Sequence, residues 1–164
     1  MQSRVNINKT EPQAYKAMYA LEEYVAATQL TKTQKELVKI RASQINRCAY
    51  CIDMHTKDAL KSGETAQRIF LLNAWRETDL FSEEEKALLA ITEEVTLIHN
   101  RGLSDETYQK AELLFGKNGV AQIIVAVSAI NAWNRIAVST NMGLELKPVT
   151  SFTEESLVTK LQKN

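Results

Sequence analysis

The sequence predicts an all-α protein, a bundle of about six to seven helices. Of its 164 residues only 5 are glycine and 2 are proline, so few residues break helices or favour turns. Hydrophobic residues make up 45% and charged residues 24%, as in ordinary globular proteins. This length supports one domain with a substantial core. We therefore expect residues 1–164 to form a single helical domain.

The first half of the chain is expected to form three helices. They are predicted over residues 12–29, 31–46 and 48–62. Thr10 is the expected N-cap of the first helix, with Pro12 in its first turn. Gly63 is the expected end of the third helix, because glycine readily adopts the left-handed conformation found just beyond helix C-termini.

The second of these helices has two possible starts. Thr31 with Gln34 forms one capping box, and Thr33 with Glu36 forms another. With Thr33 as the cap, Glu36 bends back to its own helix terminus. With Thr31 as the cap, Glu36 is the fifth helical residue and its carboxylate is free to point elsewhere. We favour Thr31.

The second half of the chain is expected to form four helical segments. They are predicted over residues 65–73, 83–100, 105–115 and 118–141. Ser82 and Ser104 are the expected N-caps of the second and third segments, and Gly116 separates the last two. The second segment carries a stripe of apolar residues spaced by three and four, which we expect to be buried: Leu88, Ile91, Val95 and Ile98.

The end of the chain combines an apolar helix with a polar tail. Residues 120–130 are apolar nearly all round, which predicts a helix surrounded by protein, either at the centre of the fold or through oligomerisation. Residues 144–164 form a polar tail in which one short helix is predicted over 153–161.

Charge and hydropathy exclude several classes of function. Twenty basic residues balance twenty acidic ones, so no electrostatic footprint for nucleic acid is expected, nor a basic amphipathic patch for a membrane surface. The N-terminus lacks the apolar core of a secretory signal, and no apolar run reaches the ~18 residues of a membrane span. We expect a soluble cytoplasmic protein.

The candidate chemistry is concentrated between residues 41 and 60. This stretch holds both cysteines, Cys48 and Cys51, and one of the two histidines, His55, in the spacing C-x-x-C-x-x-x-H. On a helix the three side chains share one face. A helix N-terminus lowers the pKa of a thiol, and helical geometry sets the two Cα atoms about 5 Å apart, which permits a disulfide. His55 can take a proton from Cys51 directly or through a water.

Two other uses of these residues fit less well. A disulfide closing so short a loop would contribute about 2 kcal/mol in the chain-entropy treatment, so it is a poor structural cross-link. Two cysteines and a histidine can bind zinc, but on one helix Cys48 and His55 are separated by ~10 Å of rise. We therefore expect redox chemistry, with no metal and no cofactor.

A family resemblance rests on these same residues. Glu36, the Cys48-x-x-Cys51 pair and His55 match the E…CxxCxxxH signature of the AhpD-like alkylhydroperoxidases, a group of the carboxymuconolactone decarboxylase superfamily. The segment ELVKIRASQINRCAYCIDMHTKDALKSG resembles the core motif of that group. A looser resemblance extends over most of residues 31–138.

The resemblance implies a fold, an assembly and a reaction. It implies an all-helical subunit that assembles into trimers or hexamers and reduces hydroperoxides. Carried over, Cys51 attacks the peroxide, Cys48 resolves the resulting sulfenic acid as a disulfide, and His55 with Glu36 forms a proton relay. By the same analogy a dihydrolipoyl or thioredoxin-like dithiol is the reductant.

The resemblance departs at one position and leaves two other functions open. The better-studied AhpD proteins carry a histidine before the second cysteine, where this chain has Tyr50. A phenol is a poor base at neutral pH, which predicts weak peroxidase activity or another substrate. The alternatives are a lyase like the superfamily's namesake, which has no need of a cysteine pair, and a non-enzymatic redox sensor.

Overall fold

The structure, a computed structural model, describes residues 2–144, and all regular secondary structure in that range is helical. A 3₁₀ helix, Leu72–Glu77, lies between the fifth and sixth of seven α-helices. The α-helices are α1 (Ile7–Thr10), α2 (Pro12–Ala27), α3 (Lys32–Ile45), α4 (Ala49–Lys61), α5 (Ala66–Leu71), α6 (Glu83–Thr96) and α7 (Asp105–Ser139). The prediction of an all-α bundle with about six to seven helices is confirmed. The helix predicted over 153–161 lies outside the described residues.

The core forms where α7 packs against α2, α3, α4 and α6. The helix α3 also packs along α4 and α6, so α3 and α4 lie side by side on α7. The largest fully buried side chains come mainly from α3, α6 and α7, and include Leu37, Ile40, Leu88, Leu89, Ile91, Ile123 and Ile130. Burial of this apolar surface is the main force that holds the helices together.

Three predicted N-caps are confirmed. The Thr31 hydroxyl accepts from the backbone N–H of Gln34 at 3.1 Å, and the Gln34 side chain accepts from the Thr31 N–H at 2.9 Å. Ser82 closes a second capping box at the start of α6, and Ser104 caps α7. Because Thr31 is the cap, Glu36 is not used at its own helix terminus.

The N-terminal prediction was wrong in its details. Thr10 is not the N-cap of the first long helix but the last residue of α1, which Asn6 caps by accepting from the Lys9 N–H at 3.1 Å. The N-cap of α2 is Glu11, whose side chain makes no capping hydrogen bond. The helix ends at Ala27, earlier than predicted, because Thr28 is extended (φ −66°, ψ 162°).

The apolar stripe of α6 is shorter than predicted. Leu88 and Ile91 are fully buried and Val95 packs against the core. Ile98 is 60% exposed, because the backbone leaves the helical conformation at Leu97 (φ −95°, ψ 43°). The apolar spacing of Ile98 was therefore misleading, since that residue lies beyond the helix.

Gly116 divides α7 into the two predicted segments. Its φ of 66° and ψ of 170° interrupt the helix, and a positive φ of this kind favours glycine. In the segment that follows, Ile123 and Val127 are fully buried, whereas Ile124 and Val125 are only half-buried. Within the single chain, protein therefore covers the inward faces of this helix and leaves its outer face half-buried.

Within residues 2–144, α7 is also the single helix long and apolar enough to cross a membrane by length and composition. Its most apolar 18-residue window is 44% buried inside the bundle. Because α7 packs against four other helices, its hydrophobicity is that of a core helix. No membrane protein is indicated.

Candidate active site

The end of α3 places Cys48. The backbone N–H of Arg47 donates to the Gln44 carbonyl at 3.2 Å, and that of Cys48 donates to the Ser43 carbonyl at 2.9 Å. With Arg47 in the left-handed conformation (φ 55°), this is a Schellman helix end. Cys48 is at the same time the N-cap of α4, and its sulfur accepts from the Cys51 N–H at 3.4 Å. The corner between the two helices therefore fixes Cys48 at the N-terminus of α4, as the sequence predicts.

Of the two cysteines, Cys51 and not Cys48 lines the cavity next to His55. Cys48 is 1% exposed and Cys51 is 2% exposed, and both are free thiols. Cys51 lines a cavity of about 370 Å³ in which Cys48 takes no part. Other residues of its wall include Tyr15, Tyr50, Met54, His55 and Trp133. A substrate in this cavity would meet the Cys51 sulfur.

The two thiols differ in ionisation. The pKa of Cys48 is lowered to about 7, mainly by the hydrogen bond from the Cys51 thiol. Burial raises this pKa, whereas the Cys51 backbone N–H and the Asn134 side chain lower it further. The hydrogen bond to Cys48 and burial raise the pKa of Cys51 well above its usual range. The pair therefore gains a single negative charge as the pH rises through about 7, and this charge lies mainly on Cys48, whose sulfur also accepts the Cys51 N–H.

Glu36 and His55 form a pair across α3 and α4. A Glu36 carboxylate oxygen lies 3.0 Å from Nδ1 of His55, and the two side chains are 13% and 8% exposed. With the carboxylate ionised, Nδ1 carries the hydrogen, so the basic lone pair is on Nε2, on the other side of the ring. The sequence predicted that Glu36 joins the site if Thr31 caps α3, and the structure has this arrangement.

Of the two proton routes that the sequence allows, direct transfer and transfer through a water, the structure favours the second. Among the hydrogen bonds of residues 2–144, none joins His55 to either sulfur, although His55 and Cys51 line the same cavity. A proton would therefore pass between them through a molecule in the cavity. The described residues contain no group of three or more His, Cys, Asp or Glu side chains that could hold a metal ion.

Sequence reasoning missed the polar residues behind the cysteines. The side chains of Ser43 and Asn134 each lower the pKa of Cys51, against the larger effects that raise it. Asn134 also lowers the pKa of Cys48. A usable signal was present in the sequence, since Asn131 and Asn134 are amides three residues apart in an apolar helix. Buried amides need hydrogen-bond partners, so they mark a polar contact inside the bundle.

A helical bundle with a C-x-x-C pair at a helix N-terminus, and with a cavity histidine that is hydrogen-bonded to a glutamate, matches the AhpD-like signature. The sequence profile of the carboxymuconolactone decarboxylase family matches residues 12–94, and the chain belongs to this family. The resemblance noted from the sequence is thereby confirmed.

Individual relatives agree with this assignment. The chain is 42% identical over 139 residues to the uncharacterized protein YdfG of Bacillus subtilis, covering 85% of this chain and 95% of that protein. A protein of unknown function from Agrobacterium tumefaciens, provisionally named for AhpD antioxidant defence, superposes with a TM-score of 0.86 at 39% identity, covering 89% of this chain and 100% of that one. The debrominase Bmp8 shares the fold, with a TM-score of 0.75 at 16% identity, covering 84% of this chain and 74% of that one. Its Cys-to-Ala variant has been crystallised with 2,3,4-tribromopyrrole.

Proposed function

We propose that this protein is a thiol-dependent peroxidase that reduces organic hydroperoxides. The observation that carries the proposal is the cavity of about 370 Å³, which Cys51 and His55 line together. A hydroperoxide in this space lies between a nucleophile and a proton donor, which is the arrangement that cleavage of an O–O bond requires.

In the first step the Cys51 thiolate attacks the outer oxygen of the hydroperoxide. The S–O bond forms, the O–O bond breaks, and Cys51 becomes a sulfenic acid. His55 has taken the proton of the Cys51 thiol through a molecule in the cavity, and it gives this proton to the leaving alkoxide, which departs as the alcohol. Glu36 accepts a hydrogen bond from Nδ1 and stabilises the protonated ring before this transfer.

In the second step Cys48 resolves the sulfenic acid. Its sulfur attacks that of Cys51, the S–OH bond breaks, and water leaves with one proton. The peroxide has then gained two electrons and the cysteine pair has lost two. An external dithiol, of a dihydrolipoyl or thioredoxin-like kind, regenerates the two thiols.

The setting of the reaction is part of the proposal. A cysteine pair that must return to the reduced state suits the cytoplasm, where thiols are kept reduced. A homo-oligomer, a trimer or hexamer by family analogy, is supported by exposed apolar side chains such as Phe70 (76%) and Leu113 (88%).

The experiment is consumption of cumene hydroperoxide in the presence of a dithiol reductant. The wild type is expected to turn over and Cys51→Ser to be inactive. Cys48→Ser is the matched control, because it should consume about one equivalent and then stop as a sulfenic acid. Equal rates for the wild type and Cys51→Ser would refute the proposal. Turnover of a carboxylated substrate that survives alkylation of both thiols would favour a lyase instead.

Debromination of an aromatic ring is the second candidate, and the aromatic wall of the cavity favours it. The rings of Tyr15 and Trp133 meet edge to face, with centroids 5.1 Å apart and planes at 77°. In such a reaction two thiols become a disulfide, the carbon–bromine bond becomes carbon–hydrogen, and bromide and a proton are released. Release of bromide from a bromopyrrole by the reduced protein is the test.

A further inference from the structure

Three aromatic side chains form one corner of the cavity beside Cys51. Tyr15 and Tyr19 lie one turn apart on α2, and Trp133 comes from α7. The ring centroids of Tyr15 and Trp133 are 5.1 Å apart, and the Tyr19 centroid lies 5.7 Å from each of them. Each ring therefore packs against both of the others, and all three line the cavity that Cys51 and His55 share.

The three rings of this aromatic corner are set at steep angles to one another. The planes of Tyr15 and Trp133 meet at 77°, those of Tyr15 and Tyr19 at 70°, and those of Tyr19 and Trp133 at 55°. Because the face of an aromatic ring is negative and its edge is positive, aromatic rings favour edge-to-face contact. Rings in several orientations can form such a contact with an aromatic ligand, whereas a saturated ligand gains only apolar contact.

The size of the cavity calls for a substrate with a sizeable body. Its volume of about 370 Å³ is typical of sites for small organic molecules, which span roughly 300–1,000 Å³. A molecule as small as hydrogen peroxide fills little of this space, since a water molecule occupies roughly 30 Å³. Most of the cavity is therefore left for the part of the substrate that does not react.

The aromatic corner lies between the exposed rim of the cavity and its buried end. Tyr19 is 54% exposed, Tyr15 and Trp133 are half-buried, and Cys51 and His55 are buried. A ligand that enters at the rim therefore passes along the three rings before it reaches Cys51 and His55. A ring held in this corner leaves its reacting group at the buried end.

Among the described residues, the groups of the cavity wall that can carry positive charge are paired with carboxylates. Nζ of Lys39 lies 2.9 Å from a Glu22 carboxylate oxygen, and His55 is paired with Glu36. The phenols of the wall are neutral at pH 7, since an ordinary tyrosine has a pKa of ~10. An anionic ligand would have to compete with a carboxylate that is already in place, so the wall favours a neutral ligand.

We infer that the corner formed by Tyr15, Tyr19 and Trp133 binds a neutral aromatic ring, so that the substrate is a hydroperoxide carrying such a ring. The ring packs in the corner, and the peroxide group lies against Cys51 and His55. The identity of the reacting group rests on the proposed function. Recognition of the ring is a binding property that needs no reaction.

The test compares two unreactive alcohols of similar size, titrated into the reduced protein and followed by ligand-observed NMR. One is dimethylphenylcarbinol, the alcohol that forms from cumene hydroperoxide, and the other is its saturated analogue, dimethylcyclohexylcarbinol. We expect the phenyl compound to bind about two- to tenfold more tightly, the size of one aromatic contact. A cavity that is merely apolar would favour the cyclohexyl compound, so equal affinities or a preference for that compound would overturn the inference.

Variants of the corner test whether the rings cause this preference. Trp133→Leu and Tyr15→Leu each remove one ring but keep an apolar side chain, and each should bring the ratio of the two affinities towards one. Tyr24→Leu is the matched control, because it removes an exposed tyrosine of the same helix that does not line the cavity, and it should keep the wild-type ratio. Tyr15→Phe keeps the ring and should also keep the ratio. Equal losses in Tyr15→Phe and Tyr15→Leu would assign the preference to the hydroxyl and overturn the inference.

The charge of the ligand is tested with a phenyl alcohol that carries a carboxylate in the para position. This anion should bind more weakly than the neutral phenyl compound, because the Lys39 ammonium is already paired with Glu22. Tighter binding of the anion would contradict a site for a neutral ring. The comparison of ligands on the wild type needs no variant, so it decides even where a leucine variant fails to fold.

Binding and turnover separate this inference from the proposed function. Equal affinities for the two alcohols, in a protein that consumes hydroperoxides through Cys51, would overturn the inference and leave the proposed function standing. A clear preference for the phenyl compound, in a protein that leaves hydroperoxides unreduced, would refute the proposed function and leave the aromatic-ring site standing.

Discussion

Replacing Cys51 by alanine removes the S–H group that donates to the Cys48 sulfur, the largest cause of the low pKa of Cys48. A hydrogen bond to a charged group contributes ~1.5–3 kcal/mol, and one pKa unit corresponds to about 1.4 kcal/mol. The pKa of Cys48 is therefore expected to rise from about 7 by roughly one to two units. The Cys51 backbone N–H, 3.4 Å from the sulfur, remains in the variant and limits the change.

The assay is the ultraviolet absorbance of the thiolate, followed across pH in a protein with one remaining thiol. At pH 7 a thiol with a pKa of about 7 is about half ionised, whereas one at the ordinary ~8.5 is about 3% ionised. Cys51→Ser is the comparison variant, because its hydroxyl keeps a donor next to Cys48. We expect Cys48 to titrate at a lower pH in the serine variant than in the alanine variant.

Two results would refute this reasoning. If Cys48 titrates at the same pH in both variants, the side chain at position 51 does not stabilise its thiolate. If the wild-type protein shows no thiol that ionises near pH 7, the charge does not lie on the pair, and the helix N-terminus does not have the effect assigned to it.

The remaining predictions concern the relay, the fold and pH. Glu36→Gln removes the charge paired with His55 and should lower peroxide turnover about 10–100-fold at unchanged helix content; an unchanged rate would contradict the relay. Tyr50→His supplies a better base at neutral pH and should raise turnover at pH 7 several-fold, while no gain would show that proton removal is not limiting. Gly116→Ala should lower the free energy of unfolding by ~1–2 kcal/mol in denaturant titrations, because φ is 66° although open space surrounds the added carbon; Gly143→Ala, also in open space, is the control. The free energy of unfolding of the wild type, measured relative to a variant with serine at both cysteine positions, should rise between about pH 7 and ~8.5. In this window the folded cysteine pair has lost a proton that the unfolded chain retains. Above ~8.5 this free energy should fall, because the raised pKa of the second thiol keeps a proton that the unfolded chain has lost.

Local signals predicted the fold well, and their failures have physical causes. Thr31, Ser82 and Ser104 were correctly placed because donor and acceptor of each cap lie within four residues of one another. Ile98 was misplaced because periodicity continues past the point where the backbone leaves the helix. Thr10 was misplaced because the short helix α1 has no apolar stripe that would reveal it.

The site was predictable where it lies along one helix and its neighbour, and not where it depends on α7. The C-x-x-C-x-x-x-H spacing and the capping choice together predicted that Glu36 and His55 could meet. Trp133 of the cavity wall and Asn134, which donates to Ser43, lie about 80 positions further along the chain, and only tertiary packing brings them to the site. Sequence reasoning also left the resting charge unassigned between the thiols, because it depends on which sulfur accepts the backbone N–H.

Separating the charged sulfur from the accessible sulfur has a chemical consequence. The Cys48 thiolate is 1% exposed and lies outside the cavity, so oxidants that diffuse freely have little access to it. The accessible sulfur of Cys51 is protonated at rest, and a thiol is a much weaker nucleophile than a thiolate. In the proposed mechanism Cys51 becomes reactive only when it loses its proton, and a molecule that fills the cavity provides the path from this thiol to His55. Reactivity is then tied to occupancy of the cavity, which protects the resting thiols from oxidants that do not enter it.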